Sequence, residues 1–281
     1  MKTPIQPHQL TVSTVWYTLS DFLRPWLERA SDESRRLVQF LERRMNRLIA
    51  LWISVSCAAG LLKVLASPLP AQSFSHALGM LLPFLCVSLA PVAGYRLAAR
   101  GVARGTLLAQ PSIRLAHIGR WQALDSRQAR DNPAFGPTGL MASLLVGLLL
   151  NVVLRTAEYL AAIPALGAGA PQWGLVTFHA MTADVVAMNF LYMVCFVMAL
   201  RASPIFPRMM VLAWTMDIAM QFFIANQVAQ TSGLPGAVEL AMSDLLSGNI
   251  KKVMISVLIW MPYLIVSDRV NVTYRQRCRA G

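Results

Sequence analysis

Two aspartates lie deep inside long apolar stretches of the sequence, where a charged side chain is costly to keep. Asp184 lies near the middle of stretch 174–200, and Asp217 lies near the middle of stretch 206–229. At about 1.5 Å of rise per residue, both fall about 15 Å deep in a hydrocarbon layer about 30 Å thick. Neighbouring antiparallel helices could bring the two carboxylates together, where they would compete for protons. This pattern indicates a proton or cation relay.

Stretch 138–160 adds three polar residues on one face. Asn151, Arg155 and Glu158 follow one another at helical spacing, so their side chains point the same way. Arg155 and Glu158 could pair with each other, or Arg155 could reach Asp184. Either arrangement would reduce the cost of an ionised group inside the membrane.

Two further polar residues are candidates for the same interior. Gln221 follows Asp217 by one helical turn and shares its face. His179 lies on a different stripe from Asp184, because five residues rotate a helix by about 140°. The simpler interpretation is that such groups join helices by hydrogen bonds, which we favour for Asn151 and Gln221. For the two aspartates we favour a functional role, because burying a charge costs more than burying an amide.

No catalytic or metal-binding motif stands out in the sequence. It contains no GxSxG, HExxH or P-loop pattern, and neither aspartate lies in a GxGD motif. The four histidines are scattered, and the four cysteines form no CxxC pair. We therefore predict no catalytic residue, no cofactor and no metal site.

The elements that position these residues follow from the composition. Of 281 residues, 56% are hydrophobic and only 14% are charged, whereas soluble domains carry about 25% charged residues. This excludes a soluble globular enzyme and a disordered chain. The net charge of +12 fits arginine-rich membrane loops better than nucleic-acid binding, because no basic motif with interleaved aromatic residues is present.

Six apolar stretches are long enough to cross a bilayer, which predicts an all-α integral membrane bundle of about six transmembrane helices. The predicted spans are residues 48–66, 77–98, 138–160, 174–200, 206–229 and 253–267. The sixth is the shortest and has the least definite limits.

Arginine and lysine are distributed very unevenly between the connections. They concentrate in residues 1–47, 96–130, 201–208 and the C-terminal tail, whereas connections 67–76 and 163–173 contain none. By the positive-inside rule, both termini are expected in the cytoplasm, with the chain in a plasma membrane. The arginine-rich loops are expected to contact anionic lipid headgroups.

The N-terminal segment, residues 1–47, has its own helical pattern. Trp16 and Trp26 occur with leucines at helical spacing, which predicts an amphipathic helix lying on the membrane surface. The alternative is an ordinary helix packed on the protein. A second helix is expected to begin at Ser31 or Asp32 and to run into the first span.

The end of the chain contains an aromatic and basic motif. In WMPYLIVSDRVNVTY, Trp260 and Tyr263 precede Arg269 across a predicted membrane boundary. Aromatic rings and arginines are favoured at such boundaries, so we interpret these residues as an anchor for the last helix.

This closing motif, together with RASPIFPRMM and GPTGLMASLL, resembles a bacterial family of four-span membrane proteins, domain of unknown function 2569. The resemblance covers residues 136–277 and departs from the family pattern at Thr138, Leu140, Asp268 and Tyr274. It implies a four-span fold in a bacterial inner membrane and no established activity. The chain would then comprise the N-terminal segment 1–47, a two-span hairpin 48–135 and a four-span domain 136–281.

Three functions remain open from the sequence. The preferred one is a binding or transport-type component, or an accessory subunit, that uses a polar site within the membrane. The second is a structural protein that presents its N-terminal helix and arginine loops to a membrane complex. The third is a membrane enzyme acting on a lipid.

Overall fold

The computed structural model describes residues 12–102, 110–111, 118–167 and 169–280, with side chains from Asp32 onward. The helices and strands in this part of the chain are α1 Val12–Leu65, α2 Phe74–Gly101, β1 Trp121–Ala123, α3 Ser126–Asp131, α4 Leu140–Ala162, α5 Gln172–Leu200, α6 Phe206–Ala229, α7 Gly236–Val266, α8 Asp268–Arg275 and β2 Arg277–Arg279.

Six of these helices are long and apolar enough to cross a membrane, which confirms the all-α helical bundle and makes the chain a multi-pass membrane protein. Each of the first five includes most or all of the stretch that the hydropathy predicted. The sixth, α7, begins at Gly236 instead of near residue 253. Its first half escaped prediction because Lys251 and Lys252 interrupt the apolar run.

The first helix also differs from the sequence prediction. It runs without a break from Val12 to Leu65, so the helix does continue into the first span as predicted, but the predicted start at Ser31 or Asp32 is wrong. Leu41 and Met45 are buried against the core of the bundle. Trp16 and Trp26, the predicted interfacial anchors, lie outside the residues whose side chains are described.

Helix α5 forms the centre of the bundle. It packs against α2, α4 and α6, and most of its residues are buried. Its own apolar side chains occur on every face of the helix, as expected for a helix enclosed by others. Helix α2 approaches α5 closely at Gly94, where a Cβ atom would lie 2.5 Å from the Phe190 carbonyl oxygen. Only glycine allows the two backbones to pack this closely.

The helix ends fall into two sets that match the arginine distribution. At the arginine-rich end, Arg201 donates to the carbonyl oxygens of Ala99 and Val102. At the arginine-poor end, the Ser67 hydroxyl donates to the Ala165 carbonyl oxygen at 2.8 Å. The loops that the arginine count grouped together therefore lie together in space.

A two-stranded antiparallel sheet was not anticipated from the sequence. Strand β1 pairs with β2, so that Trp121 faces Arg279 and Ala123 faces Arg277. The Arg277 guanidinium lies 4.9 Å from the centre of the Trp121 ring, within cation–π distance. The sheet attaches the loop after α2 to the end of the chain.

The closing motif holds this end of the bundle together. Asn271 is fully buried; its amide nitrogen donates to the Ile265 and Ser267 carbonyl oxygens. Its carbonyl oxygen accepts from Arg275 and Arg277. Tyr274 is also buried, and its hydroxyl donates to the Ala199 carbonyl oxygen at 2.8 Å. The motif thus packs α8 beneath α5 and α7.

Candidate functional site

An ion-pair triad lies inside the bundle. The guanidinium of Arg155, on α4, forms ion pairs with carboxylates on two other helices. Its Nη1 lies 2.7 Å from Asp184 Oδ2 on α5, and its Nη2 lies 2.5 Å from Asp217 Oδ1 on α6. The two aspartates are 2% and 1% exposed, and Arg155 is 12% exposed. The planar guanidinium suits this arrangement, because it offers donors in fixed, diverging directions.

Neutral side chains complete the hydrogen bonding of the two carboxylates. The Tyr192 hydroxyl donates to Asp217 Oδ2 at 2.7 Å. The Gln221 amide nitrogen lies 3.4 Å from Asp184 Oδ1 and 3.5 Å from Asp217 Oδ1. Asn249 of α7 donates to Gln221 Oε1 at 3.2 Å. The network therefore joins α4, α5, α6 and α7.

A cavity of about 310 Å³ adjoins the triad. Its walls come mainly from α4 and α7, and the triad lies on its inner side. Trp260 closes one part of the wall, and its ring packs edge-on against Tyr263 at 5.9 Å between centroids. The apolar remainder includes Leu144, Leu148 and Val253. A mostly apolar cavity with a few convergent polar groups is the usual form of a small-molecule site.

An exposed ion pair connects the two walls of the cavity. Lys252 Nζ on α7 lies 2.5 Å from Glu158 Oε1 on α4, and both side chains are more than half exposed. Both residues also line the cavity. The pair therefore lies between the triad and the arginine-poor side of the protein.

The charges around the cavity do not balance. Its lining includes three acidic side chains, Glu158, Asp184 and Asp217, but only two basic ones, Arg155 and Lys252. Lys252 and Glu158 neutralise each other, so the excess belongs to the triad. With both carboxylates ionised, the triad carries one negative charge on side chains that are largely buried. A bound proton or a monovalent cation would remove that excess.

The structure thus brings together six of the seven polar residues selected from the sequence: Arg155, Asp184, Asp217 and Gln221 form the network, and Asn151 and Glu158 line the same cavity. Glu158 pairs with Lys252, so the alternative in which Arg155 turns to the aspartates is the one observed. His179 does not join the network; it is exposed, and its ring nitrogen contacts the Leu175 carbonyl oxygen of its own helix.

The sequence reasoning missed Tyr192, Asn249 and Lys252. Tyr192 follows Asp184 by two helical turns on α5, so a search along that stripe would have found it. Asn249 and Lys252 were missed because the start of the last helix was placed too late. Trp260 was interpreted as a membrane anchor, and the structure also places it in the cavity wall.

The other predicted anchor, Arg269, is partly buried beside the start of α4. Its Nη1 donates to Thr138 Oγ1 at 2.6 Å. Burial lowers the pKa of Arg269 below its ordinary value. Arg269 therefore connects α8 to the segment before α4.

The chain matches no protein-family model, no curated protein and no solved structure. Among the described residues, no cluster of three or more histidine, cysteine or acidic side chains could hold a metal ion. The geometry of the triad and its cavity is accordingly the basis for a functional assignment.

Proposed function

We propose that this chain is a transport-type protein of a bacterial inner membrane, with both termini in the cytoplasm. In this proposal the Arg155–Asp184–Asp217 triad takes up one proton or one monovalent cation as a polar solute enters the adjoining cavity. The excess of one carboxylate over the single guanidinium carries the proposal. The resemblance of residues 136–277 to domain of unknown function 2569 supports the bacterial membrane but no particular solute.

The triad has the properties that a coupling site needs. It joins α4 to α5 and α6, so its charge state affects how these helices pack. It borders a cavity large enough for a small solute. A proton on either carboxylate would weaken one bond to Arg155 and free that guanidinium nitrogen for a solute. Intramembrane ionisable residues of this kind commonly mark ion and proton pathways.

Infrared spectroscopy tests the protonation step directly. Purified full-length protein in liposomes is titrated from acidic to alkaline pH, and the carbonyl stretch of protonated carboxylic acids is followed. We expect a signal from the triad that disappears when both aspartates are replaced, as Asp184→Asn with Asp217→Asn. Glu158→Gln is the matched control, since it removes an exposed carboxylate from the same cavity.

A sodium titration at constant pH separates the two charge carriers. If the carboxylic acid signal falls as sodium is added, the site binds the cation in place of the proton. If neither pH nor sodium changes any signal assigned to Asp184 or Asp217, the proposal is wrong.

Transport is tested with the same proteoliposomes and a trapped pH dye. A low-molecular-weight extract of bacterial cytoplasm serves as the solute source. We expect a pH change inside the vesicles that the double aspartate variant abolishes and Asp244→Asn retains, because Asp244 is an exposed carboxylate of α7 that does not line the cavity. No pH change with the wild type would contradict proton-coupled transport.

Two other results would favour the alternative functions. If removal of residues 1–30 dissociates a membrane complex while both aspartates prove dispensable, the protein has an interaction role. If the purified protein converts an added lipid, it is an enzyme.

A further inference from the structure

A second cavity, of about 230 Å³, lies at the arginine-rich end of the bundle, away from the triad. Its walls come from the first turns of α6, the last turns of α7 and the end of α8. Gln110 and Pro111 from the loop after α2 also contribute to it. The Gln110 amide donates to the Tyr274 carbonyl oxygen at 3.3 Å, which fixes that side of the cavity.

The charged lining of this cavity is entirely cationic among the described residues. Arg208 and Arg275 contribute to it, and no carboxylate does. The adjoining helix α8 has one acidic residue, Asp268, and its ion-pair partner is Arg279. The two arginines therefore create a positive field that no described residue of the cavity lining offsets.

Two further observations show that the positive charge of each arginine is unfavourable where it lies. Burial, together with the neighbouring charges of Arg277 and Arg208, lowers the pKa of Arg275 to about 10. Arg208 lies in the first turn of α6, where the helix dipole disfavours a cation and where no acidic residue is present. An anion in the cavity would relieve both costs.

The remaining walls of the cavity are apolar. Val211 lies about one helical turn beyond Arg208 along α6, and Met261 lies about one turn before Leu264 along α7, so both are nearer the middle of these candidate spans than the arginines. Arg275 belongs to α8, and its Nη1 donates to the Leu264 carbonyl oxygen, so its guanidinium lies at the end of α7. The cavity is thus cationic toward the membrane surface and apolar toward the membrane interior, which matches the phosphate and upper acyl chain of a phospholipid.

We propose that this cavity, which we call the Arg208–Arg275 site, binds the phosphate group of an anionic phospholipid. The guanidinium of Arg208, which has no side-chain partner among the described residues, would bind the phosphate oxygens. Arg275 would contribute mainly charge, because its Nη1 already donates to the Leu264 carbonyl oxygen and to Asn271. Val211 and Met261 would contact the upper part of the acyl chain. The site is separate from the proposed transport site and does not depend on it.

Native mass spectrometry of the full chain in uncharged detergent tests the proposal. The protein is titrated with phosphatidylglycerol, with phosphatidylcholine as the lipid of zero net charge. We expect Arg208→Gln to weaken phosphatidylglycerol binding about five-fold, the usual effect of one cation near an anionic lipid surface. Arg127→Gln is the matched control, because Arg127 is an exposed arginine of α3 at the same end of the protein. Equal binding by the two variants would overturn the proposal.

Two further arms identify the source of the phosphate and protect the test against misfolding. Val211→Trp fills the apolar part of the cavity and should weaken binding of the lipid but not of inorganic phosphate. If inorganic phosphate instead displaces the lipid at equal concentration, the ligand is a soluble phosphate. Photoactivatable phosphatidylglycerol is also cross-linked to the wild-type protein. Labelling within residues 204–211 or 261–275 is expected, and labelling confined to other segments would contradict the site.

Discussion

The Tyr192 hydroxyl donates to Asp217 Oδ2 at 2.7 Å, on the side of the carboxylate opposite to Arg155. Tyr192 is 3% exposed, so this bond is shielded from water. Asp217 therefore receives a charged donor on one oxygen and a neutral donor on the other. Asp184 shares Arg155 but has only the longer contact from Gln221, at 3.4 Å. The two carboxylates are thus held unequally by their hydrogen bonds, Asp217 more closely than Asp184.

Replacing Tyr192 with phenylalanine should destabilise the protein more than an equivalent change at a neutral bond. Tyr192→Phe removes a hydrogen bond to a charged group, worth about 1.5–3 kcal/mol, whereas Tyr159→Phe removes a neutral bond to Thr182, worth about 1 kcal/mol. Both tyrosines are buried and both lose only one oxygen atom. Thermal unfolding in detergent measures the difference. A larger loss for Tyr159→Phe would show that Asp217 is not held as an ionised acceptor.

Removing Arg155 should be among the most damaging single changes in the protein. Arg155→Met leaves two buried carboxylates without their cation, and breaking such a pair costs about 3–5 kcal/mol. Combining it with Asp184→Asn and Asp217→Asn should restore much of the lost stability, since the uncompensated charges are then gone. Unfolding midpoints of the single and triple variants provide the comparison. A triple variant no more stable than Arg155→Met would mean that Arg155 acts through packing alone.

Parts of this site were predictable from the sequence and parts were not. Asp184, Asp217 and Arg155 stood out because a charge in an apolar stretch is costly, and the depth of each followed from helical rise. Their partners did not follow, because which faces of α4, α5 and α6 meet depends on packing over the whole bundle. Arg155 pairs with the aspartates, and Glu158 pairs instead with Lys252, which lies just before the last span that the hydropathy predicts.

The closing motif illustrates the same limit. Its arginines and aromatic residues fit a membrane anchor by type and position. Asn271, which holds Arg275 and Arg277, gave no signal in the sequence, because one buried asparagine cannot be distinguished from a surface one by pattern. The strand pairing of β1 with β2 was unpredictable for a similar reason, since each strand is three residues long.

Substitution of Gly94 should disrupt the packing of α2 against α5. In Gly94→Val the new side chain would meet the Phe190 carbonyl oxygen, which is backbone and cannot rotate away. We expect a loss of at least about 1–3 kcal/mol, the usual range for overpacking. Gly79→Ala on the same helix is the control, because nothing lies within 4 Å of its added Cβ. Thermal unfolding should separate the two, and equal midpoints would contradict the close contact between α2 and α5.

Asn271→Ala should loosen the end of the chain. It removes the two bonds that the Asn271 amide donates to carbonyl oxygens and the two bonds that its oxygen accepts from arginines. Trypsin should then cleave after Arg275 and Arg277 more rapidly than in the wild type. Asp268→Asn is the control, since it breaks only the exposed pair with Arg279, which contributes about 0–1 kcal/mol. Equal cleavage of both variants would show that Asn271 does not hold this end in place.

The Lys252–Glu158 pair should control access to the central cavity from the arginine-poor side. A cysteine is introduced as Ser256→Cys, because Ser256 lines the cavity, and the four native cysteines are replaced by serine. Lys252→Ala should then increase the rate at which a polar maleimide labels this cysteine, while changing stability by less than about 1 kcal/mol, because the pair is exposed. Lys251→Ala is the matched control, since it removes a neighbouring exposed lysine that does not line the cavity.

Glu158→Gln should accelerate labelling as Lys252→Ala does, because either change breaks the same contact between α4 and α7. If all three variants label at the rate of the wild type, solutes do not enter the cavity past this pair, and the route to the triad must lie elsewhere.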